Sequence, residues 1–163
     1  MNRRIAAGMA TLLLAACAGD DRPVDAGGDL ADIAGKRWTV SLVEPIEPGG
    51  PAWPSTGADL LIDAASRRAA GTTGCNRWTA GLDTDGPGTL RLQGIASTFM
   101  YCAEPHGIME RERELLTALA AVGSYRLSGG NLVLEGDGGT SIRLERGSPA
   151  DAPRVAEANR GEP

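Results

Sequence analysis

One histidine in 163 residues leaves little room for most hydrolytic machinery. A Ser/His/Asp triad would have to be assembled around His106, which sits between Pro105 and Gly107 in a loop, and no motif nearby supplies the other two members. Metal chemistry meets the same shortage. The three cysteines contain no C-x-x-C, and Cys75, Cys102 and His106 lack the ligand spacing of a zinc site, so no metal and no cofactor is expected. The stretch Gly28 to Lys36 is close to a phosphate loop, but six residues separate Gly28 from Gly35 and Arg37 stands where Ser or Thr is needed. Basic residues are also short, 16 against 21 acidic ones, which argues against nucleic acid as a partner. Asp59, Asp63, Asp83 and Asp85 fall at turns or strand ends where solvated carboxylates are common, and no catalytic residue is assigned.

No apolar run is long enough for a bilayer-spanning helix either, since the longest, Ile5 to Leu14, is about half the length such a helix needs. Preceded by Arg3 and Arg4, it reads as the h-region of a signal peptide over residues 1–16. At its C-terminal end Leu14, Ala15, Ala16 and Cys17 resemble the lipobox of bacterial lipoproteins. The small residues let an extended backbone enter a peptidase cleft, and the thiol accepts a diacylglyceryl group as a thioether. Cys17 is therefore expected to be lipidated and to become the new N-terminus, anchoring the chain to a membrane without any transmembrane helix. Ala18 and Gly19 come next with no Asp after Cys17, so the expected address is the outer membrane, facing the periplasm. Loss of residues 1–16 removes two arginines and takes the net charge from −5 to −7. An acidic domain stands off anionic headgroups, leaving the lipid as its hold on the bilayer.

Residues 17–34 are rich in Asp, Gly and Ala and read as a flexible tether, and residues 147–163, with three prolines, read as a disordered tail. Between them, residues 35–146 suffice for one hydrophobic core. Short period-two runs bounded by turn residues predict strands at 37–44, 58–63, 69–74, 77–83, 89–93, 124–128, 132–135 and 141–145. Residues 108–122 carry no Gly or Pro and place Ile108, Met109, Leu115, Leu116, Leu119 and Val122 near one helical face, with Glu110 to Glu114 as its solvated front. The expected fold class is α+β, a curved, half-barrel-like antiparallel sheet packed against one amphipathic helix.

Two blocks, Gly74-Cys75-Asn76-Arg77-Trp78 and Ile95 through Cys102, resemble the signature blocks of the META domain family, which includes the heat-inducible HslJ-type proteins. Glu104 and Pro105, Met109 and Glu110, and Ser124 to Leu127 come after them in the family's order. The chain departs from the pattern at Phe99, where the family often has Arg. The resemblance implies a small α+β domain, often a lipoprotein, linked to envelope stress tolerance rather than to a known reaction. Each block holds one cysteine, and lipidation of Cys17 leaves Cys75 and Cys102 as an even pair in an oxidising compartment. A structural disulfide is expected there, with two buried free thiols as the alternative.

Within the first block, Gly74 suits a positive φ, Asn76 suits a side-chain bond to its own turn, and Arg77 suits an ion pair with an acidic neighbour. Asn76, Arg77 and the Pro-flanked Trp53 are the candidate binding residues. The sequence supports a membrane-tethered accessory or binding module of the cell envelope that contacts a protein partner or a small apolar ligand. A periplasmic enzyme with thiol redox chemistry at Cys75 and Cys102 is the alternative, although 27 positions separate the two.

Overall fold

A computed structural model describes residues 27–44 and 57–147 together with the backbone of residues 53–54. Cys17, the signal segment 1–16, most of the tether and nearly all of the tail lie outside the described residues. The period-two runs form antiparallel strands because one face of each is apolar and has to be covered. In chain order these are β1 (Arg37–Glu44), β2 (Trp53–Pro54), β3 (Asp59–Asp63), β4 (Arg68–Thr72), β5 (Arg77–Asp83) and β6 (Arg91–Ser97). Beyond a helix come β7 (Val122–Ser128), β8 (Asn131–Gly136) and β9 (Ser141–Arg146). The sheet order is β6-β5-β4-β3-β1-β9-β8-β7, with β2 paired to β1 beside this path.

The sheet curls into a half-barrel around its own side chains. Trp38, Leu60, Ile62, Trp78, Leu132, Leu134, Ile142 and Leu144 fill the concave face and are 1% exposed or less. In β1 the alternation slips: Trp38 and Val40 point inward, then Val43, because the register against β9 shifts between Val40 and Leu42. The first turn of β6 also differs from expectation. Thr89 belongs to the preceding turn, its hydroxyl bonded to the Gly86 carbonyl at 2.7 Å, so the strand begins at Arg91 and runs to Ser97. β4 likewise ends at Thr72, leaving Thr73 and Gly74 in a turn.

The two edge strands meet at one end only. Leu90 N–H donates to the Gly123 carbonyl at 3.3 Å and Tyr125 N–H to the Gly88 carbonyl at 2.8 Å. Gly27 lies against this junction so closely that a Cβ there would sit 2.4 Å from the Gly88 Cα, which explains glycine at the point of contact. Further along β6, the helix α2 (Ile108–Ala121) packs against β6, β8 and β9.

The C-terminal part of the expected tether is structured. Leu30–Ile33 form a single helical turn, α1, whose Ile33 is fully buried and whose Ile33 carbonyl accepts the Trp38 indole N–H at 2.9 Å. Composition hid this, since one Leu and one Ile among Asp, Gly and Ala suffice to close the core once Trp38 offers a donor. The Tyr125 hydroxyl donates to the Gly28 carbonyl at 2.5 Å in the same region. Tyr125→Phe is expected to cost about 1 kcal/mol at neutral pH, the net value of one such bond. Burial first, and then Asp29 and Asp32, raise the phenol above its ordinary pKa. A raised phenol contributes stability that is fully present below the ordinary value near 10 and is lost as pH rises through the folded one. Denaturant unfolding between pH 7 and 11 should therefore show a shallower alkaline decline in the Phe variant.

Candidate functional site

The two blocks singled out in the sequence converge at one corner of the domain. β4 ends at Thr72, and the chain turns through Thr73 to Asn76 before entering β5. Gly74 takes φ 103° in this turn, a conformation glycine reaches without strain. Thr73 N–H donates to the Asn76 carbonyl at 2.8 Å, and Asn76 N–H to the Thr73 hydroxyl at 2.9 Å. The bond that holds the turn is thus made by Thr73, and the Asn76 side chain is free for other work. That corrects the expectation that Asn76 would bond to its own turn.

The Asn76 amide is 1% exposed and uses all of its hydrogen-bonding capacity. Its Oδ1 accepts the Met100 N–H and the Thr98 hydroxyl, both at 2.7 Å. Its Nδ2 donates to the Met100 carbonyl at 3.0 Å and to the Glu112 carboxylate at 2.8 and 2.9 Å. The Thr73 hydroxyl reaches Glu112 Oε2 at 2.7 Å. One side chain therefore ties the segment after β6 to α2.

Glu112 corrects the reading of α2. Assigned to the solvated front of the helix, it is 7% exposed and shares the buried stripe with Ile108, Leu115 and Leu119. It makes no ion pair among the described residues. A carboxylate buried without a cation is tolerated when charge-assisted hydrogen bonds meet it, and Thr73 and Asn76 supply them. The spacing carried this signal: residue 112 falls four after Ile108 and three before Leu115, inside the apolar stripe rather than opposite it. The expected stripe residues Met109 and Leu116 are only partly buried and line a groove of about 640 Å³ between α2 and the Ile95–Phe99 side of β6.

A disulfide joins Cys75 to Cys102, tying the start of β5 to the segment beyond β6. Both sulfurs of the considered metal set are thereby committed to each other, and His106 is exposed. Among the described residues no group of three His, Cys, Asp or Glu is placed to hold a metal ion. Arg77 does not pair with an acidic neighbour as expected. It is exposed and makes no ion pair among the described residues, while its backbone N–H donates to the Thr98 hydroxyl oxygen at 3.2 Å and its carbonyl accepts the Thr98 N–H at 3.0 Å. Trp53 is placed by its backbone alone, in β2 opposite Val43.

The consequence of this construction is an exposed apolar loop. Phe99 is 99% exposed, Tyr101 83% and Met100 56%, three consecutive large side chains held out from the surface. On one side Asn76 grips both backbone groups of Met100, and one residue past Tyr101 the disulfide fixes Cys102. The backbone of the loop is thus fixed at both places, with its three apolar side chains exposed. Among the described residues of this corner, the Thr73 hydroxyl and the Glu112 carboxylate are both buried and hydrogen-bonded to each other, and what it exposes is the apolar loop.

The sequence profile of the META domain matches residues 31–148. Among solved structures, the chain is similar to a protein from Burkholderia xenovorans, 22% identical over 71% of this chain and 84% of that one, with a TM-score of 0.57. It is also similar to a DUF4847 family protein from Bacteroides vulgatus, 14% identical over 69% of this chain and 93% of that one, with a TM-score of 0.52. At these identities the likeness is one of fold. No curated protein matches the chain.

Proposed function

The chain belongs to the META domain family, and from that premise we propose that it is a lipid-anchored, non-enzymatic binding module of the bacterial cell envelope. In this reading Cys17 carries the lipid, the outer membrane holds the anchor, and the domain works in the periplasm in envelope stress tolerance. It acts by engaging an envelope protein through Phe99, Met100 and Tyr101.

The observation that carries the reading is the exposure of those three side chains on a pinned loop. Aromatic anchors are the residues from which interfaces draw most of their affinity, and a rigid loop loses little entropy when it is covered. A protein partner is favoured over a small apolar ligand because the concave face is already filled by tryptophan and aliphatic side chains. The loop also lies beyond the C-terminal end of β6, whereas Gly27, where the tether enters, lies against Gly88 before β6. Gly27 and the loop thus stand at opposite ends of β6, which leaves the loop clear of the segment that leads to Cys17.

Three experiments test this. Intact mass of the membrane fraction should show a product that begins at a lipid-modified Cys17, and an unmodified soluble N-terminus would remove the anchor from the proposal. A photoreactive aromatic at position 99 should crosslink to a discrete envelope protein in intact cells, while the same group at Asp137 should not. A doubly substituted Phe99→Ser, Tyr101→Ser protein should keep its melting temperature yet fail to restore stress tolerance to a deletion strain. Full restoration by that variant would end the loop's role.

A further inference from the structure

On the outer face of the sheet, β4 presents Ala70 and Thr72 on either side of Gly71, a floor of small residues beside Leu61 and Asp59 of β3. A cavity of about 490 Å³ opens above it, walled by Arg37 on one side and Arg77 on the other. The register explains the convergence. Arg37 stands opposite Leu61, Leu61 opposite Ala70, and Thr72 opposite Arg77, so the two arginines lie three strands apart on one face. Three strand spacings are about 14 Å, a gap that two long side chains leaning over small neighbours close from both sides.

The two guanidinium groups are held differently. Arg37 is largely buried and its Nη1 bonds to Oδ2 of Asp59, whose Oδ1 accepts the Thr72 N–H at 3.0 Å. Arg77 is exposed and has no ion-pair partner among the described residues. With Asp59 counted, the walls carry one net positive charge in a chain whose net charge is −5. A single negative charge neutralises them, whereas a phosphate group of about −1.5 to −2 would leave excess negative charge beside Asp59. The planar fork of arginine matches a carboxylate with two parallel bonds, and Leu61 and Ala70 offer apolar contact to whatever carries it. The volume lies within the range of about 300–1,000 Å³ usual for small-ligand sites.

We propose that this cradle binds a carboxylate borne on a small apolar body, with Arg77 making the bidentate contact and Arg37, fixed by Asp59, supplying the second positive charge. The site is independent of any partner on the Phe99–Tyr101 loop. Its carboxylate comes either from a free organic acid or from the C-terminus of a peptide, and the two are separable by titration.

The full-length protein, isotope-labelled and in zwitterionic detergent, is titrated with benzoate, with N-acetyl-trialanine, with the amide of that peptide and with inorganic phosphate, following amide shifts by NMR. One of the two acids should give saturable shifts at Ala70 and Thr72, and the one that saturates at lower concentration identifies the source. The peptide amide should not bind. Arg77→Gln should weaken the preferred acid by about tenfold or more, Arg77→Lys by less, and Arg143→Gln, on β9 and outside the cavity, should leave it unchanged. Spectra of the variants away from β4 and β5 establish that they are folded. The proposal is overturned if neither acid saturates below about 10 mM, if the amide or phosphate binds as well as the acids, or if folded Arg77→Gln binds normally.

Discussion

Asn76→Ala is expected to lower the stability of the domain by about 3–5 kcal/mol, the range in which a broken buried polar network falls. The substitution removes the partner of five hydrogen bonds at once and leaves the Glu112 carboxylate with Thr73 alone. It also strands the N–H and carbonyl of Met100 and frees the segment after β6. Glu112→Leu is a milder change at about 1–3 kcal/mol, because it leaves one Asn76 N–H unpaired but removes the buried charge itself. Combining the two should cost less than the sum of the single changes, since each single variant already breaks their common bond. Urea unfolding of the four proteins measures all three values. A loss below about 1 kcal/mol in Asn76→Ala would show that the corner is held by packing, and with it the reason given for the rigid loop would fall.

This network marks the boundary of what was legible in the chain. Strand positions followed from period-two runs because burial of one face is a local property, repeated along Asp59–Asp63 or Ser141–Arg146. The helix at 108–121 was legible for the same reason, and so was the corner as a place of interest, from its two blocks. Pairing between distant residues stayed hidden. Glu112 sits 36 positions from Asn76, and nothing in its neighbourhood of Glu and Arg says that it turns inward, except its place in the apolar stripe. The cradle was hidden in the same way, because Arg37 and Arg77 come together only through the register of four strands. α1 was missed because a four-residue turn has no periodicity to read, and its order depends on an indole N–H five residues further on.

Removing the disulfide by Cys75→Ala with Cys102→Ala is expected to cost about 3.6 kcal/mol, from the unfolded-state entropy of a closed loop of about 28 residues. The bond ties the open ends of a hairpin, one cysteine just before β5 and the other beyond β6, so in the native state it closes a ring that strand pairing has already nearly closed. Its effect should therefore appear mainly in the unfolded chain. Urea unfolding of the variant should show a lower midpoint together with a steeper dependence on denaturant, since an uncrosslinked chain exposes more surface when it unfolds. The native state should change only locally. Asn76 still grips Met100 after the sulfurs are gone, so hydrogen exchange should quicken at residues 101–106 while the β5 and β6 amides keep their protection. The domain should remain folded, because about 3.6 kcal/mol falls short of the 5–15 kcal/mol typical of native proteins. If the loop is the binding surface, this variant should also keep a weakened version of its position-99 crosslink, whereas Asn76→Ala, which releases Met100 itself, should lose it. An unchanged midpoint and slope after removal of both cysteines would show that the bond constrains neither state, and exchange spreading through β5 and β6 would show that it holds the hairpin rather than the loop.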